Sequence, residues 1–354
     1  MHASPLARIL FAVYVALVAY ASLYPFEGWR HHGLSALAYL NAPWPQYVTG
    51  FDVAANLLGY LPYGFLCVVA LHPRVRGLGA FAAAASSALL LSLSLEALQT
   101  YLPARIASNL DVLCNVAGAG AGAAIALAVG PPLVAGGPLR RFRTTAFLPG
   151  IEIDLGLVLL ALWLFTQLNP ATLLFAAGDL RDLLAAGEGR ARSAQFFVAI
   201  EAITAAANLV GVGLLVSALA APAQPARVFF LVLVVAAVVV KTAAFAALMR
   251  AENVLAWLTP GARQGLAAGV VLALAAMALP RTARLAAAAV LIMAATVLVN
   301  LAPPNPYLAA TLKVWQQGHF LNFHGLTRVV SAAWAYVAAA YLILLAARRR
   351  EPVS

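Results

Sequence analysis

Charge is what this chain has least of. Only 10% of its 354 residues are charged, 64% are hydrophobic, and the mean hydropathy is +0.91. Soluble domains carry roughly 25% charged residues, so an ordinary soluble domain is excluded and the chain reads as an all-α, polytopic helical membrane protein. Acidic residues number 12 against 22 basic ones, for a net charge of +10. No nucleic-acid partner follows from that excess, because the arginines lie mostly between apolar runs, as the positive-inside rule places them. Cysteine is nearly absent. Cys67 and Cys114 fall inside spans at different depths, so no disulfide is expected. Also missing are a P-loop, a dinucleotide fingerprint, an HExxH pair and a nucleophile elbow, which leaves no diagnostic enzyme class.

What the chain has is long apolar runs. We read about ten spans, at 6–24, 52–71, 78–99, 110–130, 151–168, 195–219, 227–249, 264–279, 284–301 and 327–347, against the about 20 residues a crossing needs. The eighth and ninth are short and separated only by Pro280 to Ala283, which leaves a re-entrant hairpin open. Arg74/Arg76, Arg140/Arg141/Arg143, Arg281/Arg284 and Arg348–Arg350 fall in alternate connections. This predicts a multi-pass protein of the inner (cytoplasmic) membrane with both termini inside. Arg181, Arg190 and Arg192, with Asp179, Asp182 and Glu188, then share an outer loop. Arg8 and Ala19-Tyr20-Ala21 give the first span the outline of a signal peptide, but its apolar run is long for an h-region.

Composition shifts across the Gly/Pro/Arg-rich stretch Gly130–Pro149. The expected organisation is a four-span unit (1–130), a basic cytoplasmic linker (131–150) and a six-span unit (151–354). In the loop after the fifth span, Leu173, Leu174, Ala177, Leu180 and Leu184 are spaced as one face of a short interfacial helix, with Asp179, Arg181 and Asp182 off it. Tyr307–Gln317, with Lys313 and Trp315, reads the same way. Trp29, Tyr39, Trp44 and Tyr47 read as interfacial anchors.

The pattern Asp-Val-x-x-Asn-x-x-Gly occurs twice, at Asp52–Gly59 and Asp111–Gly118, each time opening an apolar run. Both runs point the same way, so Asp52 and Asp111 start at the outer boundary, with Asn56 and Asn115 about 6 Å deeper. The intervening span ends there with Ser92, Glu96 and Gln99 within about 60° of one another. Pro103 and Arg105 follow. Three carboxylates, three amides and a guanidinium thus share one level. Gly59 and Gly118 would let the helices approach closely, and Pro62 and Gly64 would bend the second span. These groups either hydrogen-bond one another or form a binding pocket. Three acids at one depth favour the pocket, since like charges close together require Arg105, bound protons or a bound cation such as Mg²⁺.

Beyond the linker, Glu201 and Lys241 lie at matching depths in neighbouring spans and predict an intramembrane ion pair, with Asn208 on the face of Glu201. Asn300, the Pro303-Pro304 break, His319 and His324 could face the outer side. Two histidines five apart in a loop are too weak a signal to predict a metal site. Glu152 and Asp154 read as interfacial.

Taken together, Tyr24-Pro25-Phe26, Asp52, Asn56, Pro62, Gly64, Glu96-Ala97-Leu98-Gln99, Pro103, Arg105, Asp111, Asn115 and Gly118 stand in the order and spacing of the VanZ-like family. Residues 6–130 resemble that family of bacterial membrane proteins, with Tyr60 where a Phe is expected. The resemblance implies a cell-envelope role, such as lowering the action of the glycopeptide antibiotic teicoplanin at the outer face. The leading expectation is an outward-facing pocket for an amphiphile: an envelope lipid, a lipid-linked sugar or a lipoglycopeptide. Asp52, Asn56, Glu96, Gln99, Arg105, Asp111 and Asn115 would bind it, with Arg105 on a phosphate or carboxylate. Pro25, Gly59, Pro62, Gly64 and Gly118 would shape it. A metal-assisted transferase or hydrolase on a lipid-linked substrate is the alternative, followed by a proton-coupled transporter using Glu201 and Lys241. The sequence names no catalytic residue, no definite cofactor and no oligomeric state.

Overall fold

The computed structural model describes residues 4–31, 33, 35–45, 48–134, 137–181, 192–249, 253–307 and 321–347. Tyr47, Asp182, Leu184, Glu188, Arg190, Lys313, Trp315, His319 and Arg348–Arg350 lie outside them, as does the side chain of His324. Among the described residues there are eleven α-helices and no strand. They are α1 (Pro5–Leu23), α2 (Gly50–Leu71), α3 (Gly77–Gln99), α4 (Asn109–Val134), α5 (Pro138–Ala146), α6 (Ile151–Thr166), α7 (Ala194–Leu219), α8 (Ala226–Leu248), α9 (Pro260–Ala276), α10 (Arg281–Leu301) and α11 (Leu321–Ala347).

Eight of these are long and apolar enough to cross a bilayer: α1 to α4, α7, α8, α10 and α11. The protein is therefore a multi-pass helical membrane protein. The fifth and eighth expected spans exist as α6 and α9, with 16 and 17 residues. At 1.5 Å per residue they reach about 24–26 Å, short of a ~30 Å hydrocarbon core. Helix α9 also begins four residues earlier than the apolar run suggested. Thr259 caps it through the Ala262 N–H at 3.0 Å, and Pro260 takes the first turn, a helix-start signal carried by polarity and φ rather than hydropathy. The stretch expected as a linker is largely helical. Helix α4 runs through to Val134, and α5 carries Arg140, Arg141 and Arg143 beside exposed Leu139 and Phe142.

The chain divides into two compact units, residues 1–145 with 319–326, and residues 146–318 with 327–354. In the first, α2 packs chiefly on α4, then on α1 and α3. Its closest approach is made by glycines. A Cβ on Gly64 would collide with the Ala119 carbonyl, one on Gly118 with the Leu57 carbonyl, and one on Gly122 with the Leu61 carbonyl. Small residues at such a seam let backbones touch where no hydrophobic effect drives association. Gly59 departs from expectation, because nothing lies within 4 Å of a Cβ there. Its carbonyl instead accepts the Tyr14 hydroxyl at 2.7 Å. Pro62 sits inside a helix that continues through it.

The second unit is built around α7, whose residues from Asn208 to Leu219 are all buried, as suits a helix apolar on every side. Both α9 and α10 pack on it. The connection after α6 overturns the interfacial-helix reading. Residues 171–181 are not helical, and Leu174, Phe175, Ala176 and Ala177 are buried, with Phe175 stacked on Trp163 at 5.4 Å. Irregular backbone in a membrane protein is tolerated only where protein satisfies its polar groups, and side chains from α8 and α10 reach several carbonyls and an N–H of this segment. The Lys241 ammonium donates to the carbonyls of Asn169 (2.7 Å) and Thr172 (3.0 Å). Asn300 donates to the Gly178 carbonyl (2.7 Å) and accepts from the Leu180 N–H (2.8 Å), and Gly178 N–H reaches the Ser331 carbonyl at 2.8 Å. Gly178 has φ +80° and a Cβ there would lie 2.6 Å from Thr296 Cγ2, so both backbone and space demand glycine. Asp179 and Arg181 pair with each other at 2.6 Å.

Asn300→Leu is expected to cost about 2–4 kcal/mol, from two part-buried hydrogen bonds lost with their backbone partners left open. Limited trypsinolysis in detergent should then cut after Arg181 faster than in the parent protein. An unchanged digestion rate would contradict the clamp.

Candidate functional site

At one end of the first unit, the start of α2, the end of α3 and the start of α4 come together. Thr49 and Asp52 form a reciprocal cap on α2. The Asp52 N–H donates to Thr49 Oγ1 (3.1 Å), while Asp52 Oδ2 accepts the Thr49 hydroxyl (2.6 Å) and N–H (3.2 Å). Asp52 is exposed, so this carboxylate both caps the helix and meets solvent. Half-buried Asp111 stands next to it, within hydrogen-bonding reach of the Asn56 amide and of Ser108. Behind them Glu96, 4% exposed, accepts the Ser108 N–H at 2.8 Å and lies in the field of both Asp111 and Arg105.

A buried polar layer continues inward. Asn115 donates to Ser92 Oγ at 2.9 Å, but its own Oδ1 has no partner. The Tyr60 hydroxyl reaches toward Ser92 without completing a hydrogen bond. Tyr60, where a phenylalanine was expected, brings its hydroxyl into this layer.

Arg105 and Gln99 are turned elsewhere. Arg105 donates from Nε to the Tyr24 carbonyl (2.9 Å) and from Nη2 to the Ala21 carbonyl (2.7 Å), and Gln99 Nε2 donates to the Ser22 carbonyl (2.9 Å). These are the last carbonyls of α1 and the first beyond it, which no intrahelical N–H can satisfy. Burial pulls the Arg105 guanidinium pKa down while Glu96 pushes it up. Pro25 follows directly, in a cis peptide bond with Tyr24.

Tyr39, expected as an interfacial anchor, is buried in the protein instead. In the short 3₁₀ turn Ala38–Asn41 it is 4% exposed, and its hydroxyl donates to the Leu93 carbonyl at 3.1 Å. Burial, and secondarily the Glu96 charge, push its pKa up, which keeps the hydroxyl a donor. Asn109 fastens the same turn through the Ala42 carbonyl at 2.8 Å. Trp29 and Trp44 are exposed. Among the described residues no three His, Cys, Asp or Glu side chains are placed to hold a metal ion, so the trio Asp52, Glu96 and Asp111 is a row and not a cage.

Residues 9–130 match the VanZ/LLP1 family model, over about a third of the chain. This segment is VanZ-like. No curated protein and no solved structure matches the chain. The VanZ-like match contains every residue of the row, so the polar end of α2, α3 and α4 lies within the family's segment and the whole of the second unit's helical core lies beyond it.

In that second unit Glu201 and Lys241 do not close the expected ion pair. Lys241, 1% exposed, is held by the Asn169 and Thr172 carbonyls and lies 5.7 Å from the Phe245 ring centroid. Glu201, 5% exposed, faces Thr259. Asn208 donates to its own helix at Thr204 O, 3.1 Å. Asp154, expected at the interface, is buried.

Proposed function

We propose that the VanZ-like segment binds the polar headgroup of a cell-envelope amphiphile (an envelope lipid, a lipid-linked sugar or a lipoglycopeptide) from the outer face of the inner membrane. The observation that carries this reading is the lip made by exposed Asp52, half-buried Asn56 and half-buried Asp111, backed by buried Glu96. Carboxylate and amide oxygens in a row accept hydrogen bonds from hydroxyl groups. An apolar tail would lie along the lipid-facing sides of α2 and α4, where Leu58 and Leu113 are exposed.

Arg105 enters this reading differently from the sequence expectation. Two of its nitrogens serve carbonyls at the end of α1, so it positions the lip against α1 and the headgroup is read by acceptors. That favours a hydroxyl-bearing headgroup over a bare phosphate.

Asp111→Asn and Asn56→Leu are each expected to lower the amphiphile retained by detergent-purified protein at least tenfold, measured by native mass spectrometry. Elution volume should stay unchanged, and Ile106→Ala, at an exposed position in the α3–α4 connection, should retain it fully. The parent complement of lipid in both variants would remove this reading. Teicoplanin susceptibility of a deletion strain carrying the same variants tests the envelope role.

A further inference from the structure

A second site lies wholly within the second unit. Its cavity of about 310 Å³ is lined by Phe197 and Glu201 of α7, Lys241 and Phe245 of α8, and Trp257 and Thr259 ahead of α9. That is about ten water volumes at ~30 Å³ each, within the range of small-ligand sites. Exposed Ala194 and Tyr307 also line it and form its mouth, while Glu201 and Lys241 are buried at its floor.

Two opposite charges share this floor without pairing. Among the described residues Lys241 donates to carbonyls at 2.7 and 3.0 Å and, at the long limit of 3.5 Å, to Thr172 Oγ1. The third of these bonds is the weakest, and it is the one an anionic ligand group would replace. Among the described residues Glu201 has the Thr259 hydroxyl beside it and lies in the field of Lys241, and Oε2 would sit 2.7 Å from a Cβ on Gly261. The glycines at 261, 265 and 269 bring α9 that close to α7, so the carboxylate lies beside the first, positive turn of α9. The floor is therefore neutral overall and polar across its width, under aromatic walls.

We infer that this cavity binds a small zwitterion, its ammonium on Glu201 and its anionic group on the Lys241 ammonium in place of the long Thr172 hydroxyl bond, with an apolar part against Phe197, Phe245 and Trp257. A free apolar α-amino acid and the headgroup of an ethanolamine phospholipid both present that chemistry.

The test uses the full chain in a non-ionic detergent. One arm titrates L-phenylalanine calorimetrically, beside phenethylamine and 3-phenylpropionate, which each keep one charge. The other adds dioleoyl phosphatidylethanolamine and counts bound lipid by native mass spectrometry. Saturable binding of phenylalanine assigns a free amino acid, and retention of the phospholipid alone assigns a lipid headgroup. In either case Glu201→Gln should weaken binding at least tenfold, and Ala194→Trp, which plugs the exposed mouth and touches neither charge, should abolish it. For the amino acid the singly charged analogues should bind at least tenfold more weakly. Binding in neither arm, binding unaltered by both variants, or analogues equal to phenylalanine would each overturn the assignment. None of these outcomes bears on the VanZ-like lip, whose residues are not in this cavity.

Discussion

Gly64→Ala is expected to pry open the first helical unit. The added Cβ would run into the carbonyl, carbonyl carbon and Cα of Ala119, all of them backbone of α4. A flexible side chain could turn away from such a contact. A helix backbone cannot, so α2 and α4 must separate along a seam that Gly118 and Gly122 hold closed at neighbouring turns. Overpacking costs typically 1–3 kcal/mol, and about 3 kcal/mol is expected when backbone is the obstacle. Because α2 and α4 carry Asn56 and Asp111, separation also spreads the lip, so lipid retention should fall with thermal stability in detergent. Gly59→Ala is the control. Nothing lies within 4 Å of a Cβ at Gly59, and alanine is the better helix former by ~1 kcal/mol, so this variant should melt at or above the parent temperature. A Gly59 variant as damaged as the Gly64 variant would contradict the seam.

That contrast marks where the sequence stopped being informative. Gly59 and Gly118 occupy the same place in the two repeated patterns, yet only Gly118 meets a neighbouring backbone. A pattern gives the helix face of a residue but not which stretch of the partner crosses it. The level of the polar row was legible, because short connections force the end of α3 and the start of α4 together, and the Glu96–Ser108 hydrogen bond at 2.8 Å spans that connection. The partners of Arg105 and Gln99 were not. Both serve main-chain carbonyls near the end of α1, and a main-chain carbonyl leaves no trace in the residue alphabet. Tyr39 was misjudged for a related reason: an aromatic in an outer loop reads as an anchor until its acceptor on α3 is known.

Lys241→Met is expected to do the greatest damage in the second unit, and the way it does so separates two roles for the lysine. Methionine keeps the length of the apolar stem and removes the charge and its donors. The Asn169 and Thr172 carbonyls then lose their bonds at 2.7 and 3.0 Å inside a buried, non-helical segment. Each unsatisfied carbonyl costs about 1–3 kcal/mol, so the two together account for the damage without any counter-ion role. Loss of a monodisperse peak in detergent chromatography is the expected readout. The double variant with Glu201→Gln decides the cause. If Lys241 served chiefly as counter-ion to Glu201, neutralising the acid would restore most of the stability, because no unpaired charge would remain. Lys241 donates to backbone and Glu201 faces Thr259, with no ion pair closed between them. The double variant should therefore stay nearly as unstable as the single one, while Glu201→Gln alone should fold like the parent. Full rescue in the double variant would move the lysine from clamp to counter-ion and would make the segment at 171–181 hold itself in place by its own packing.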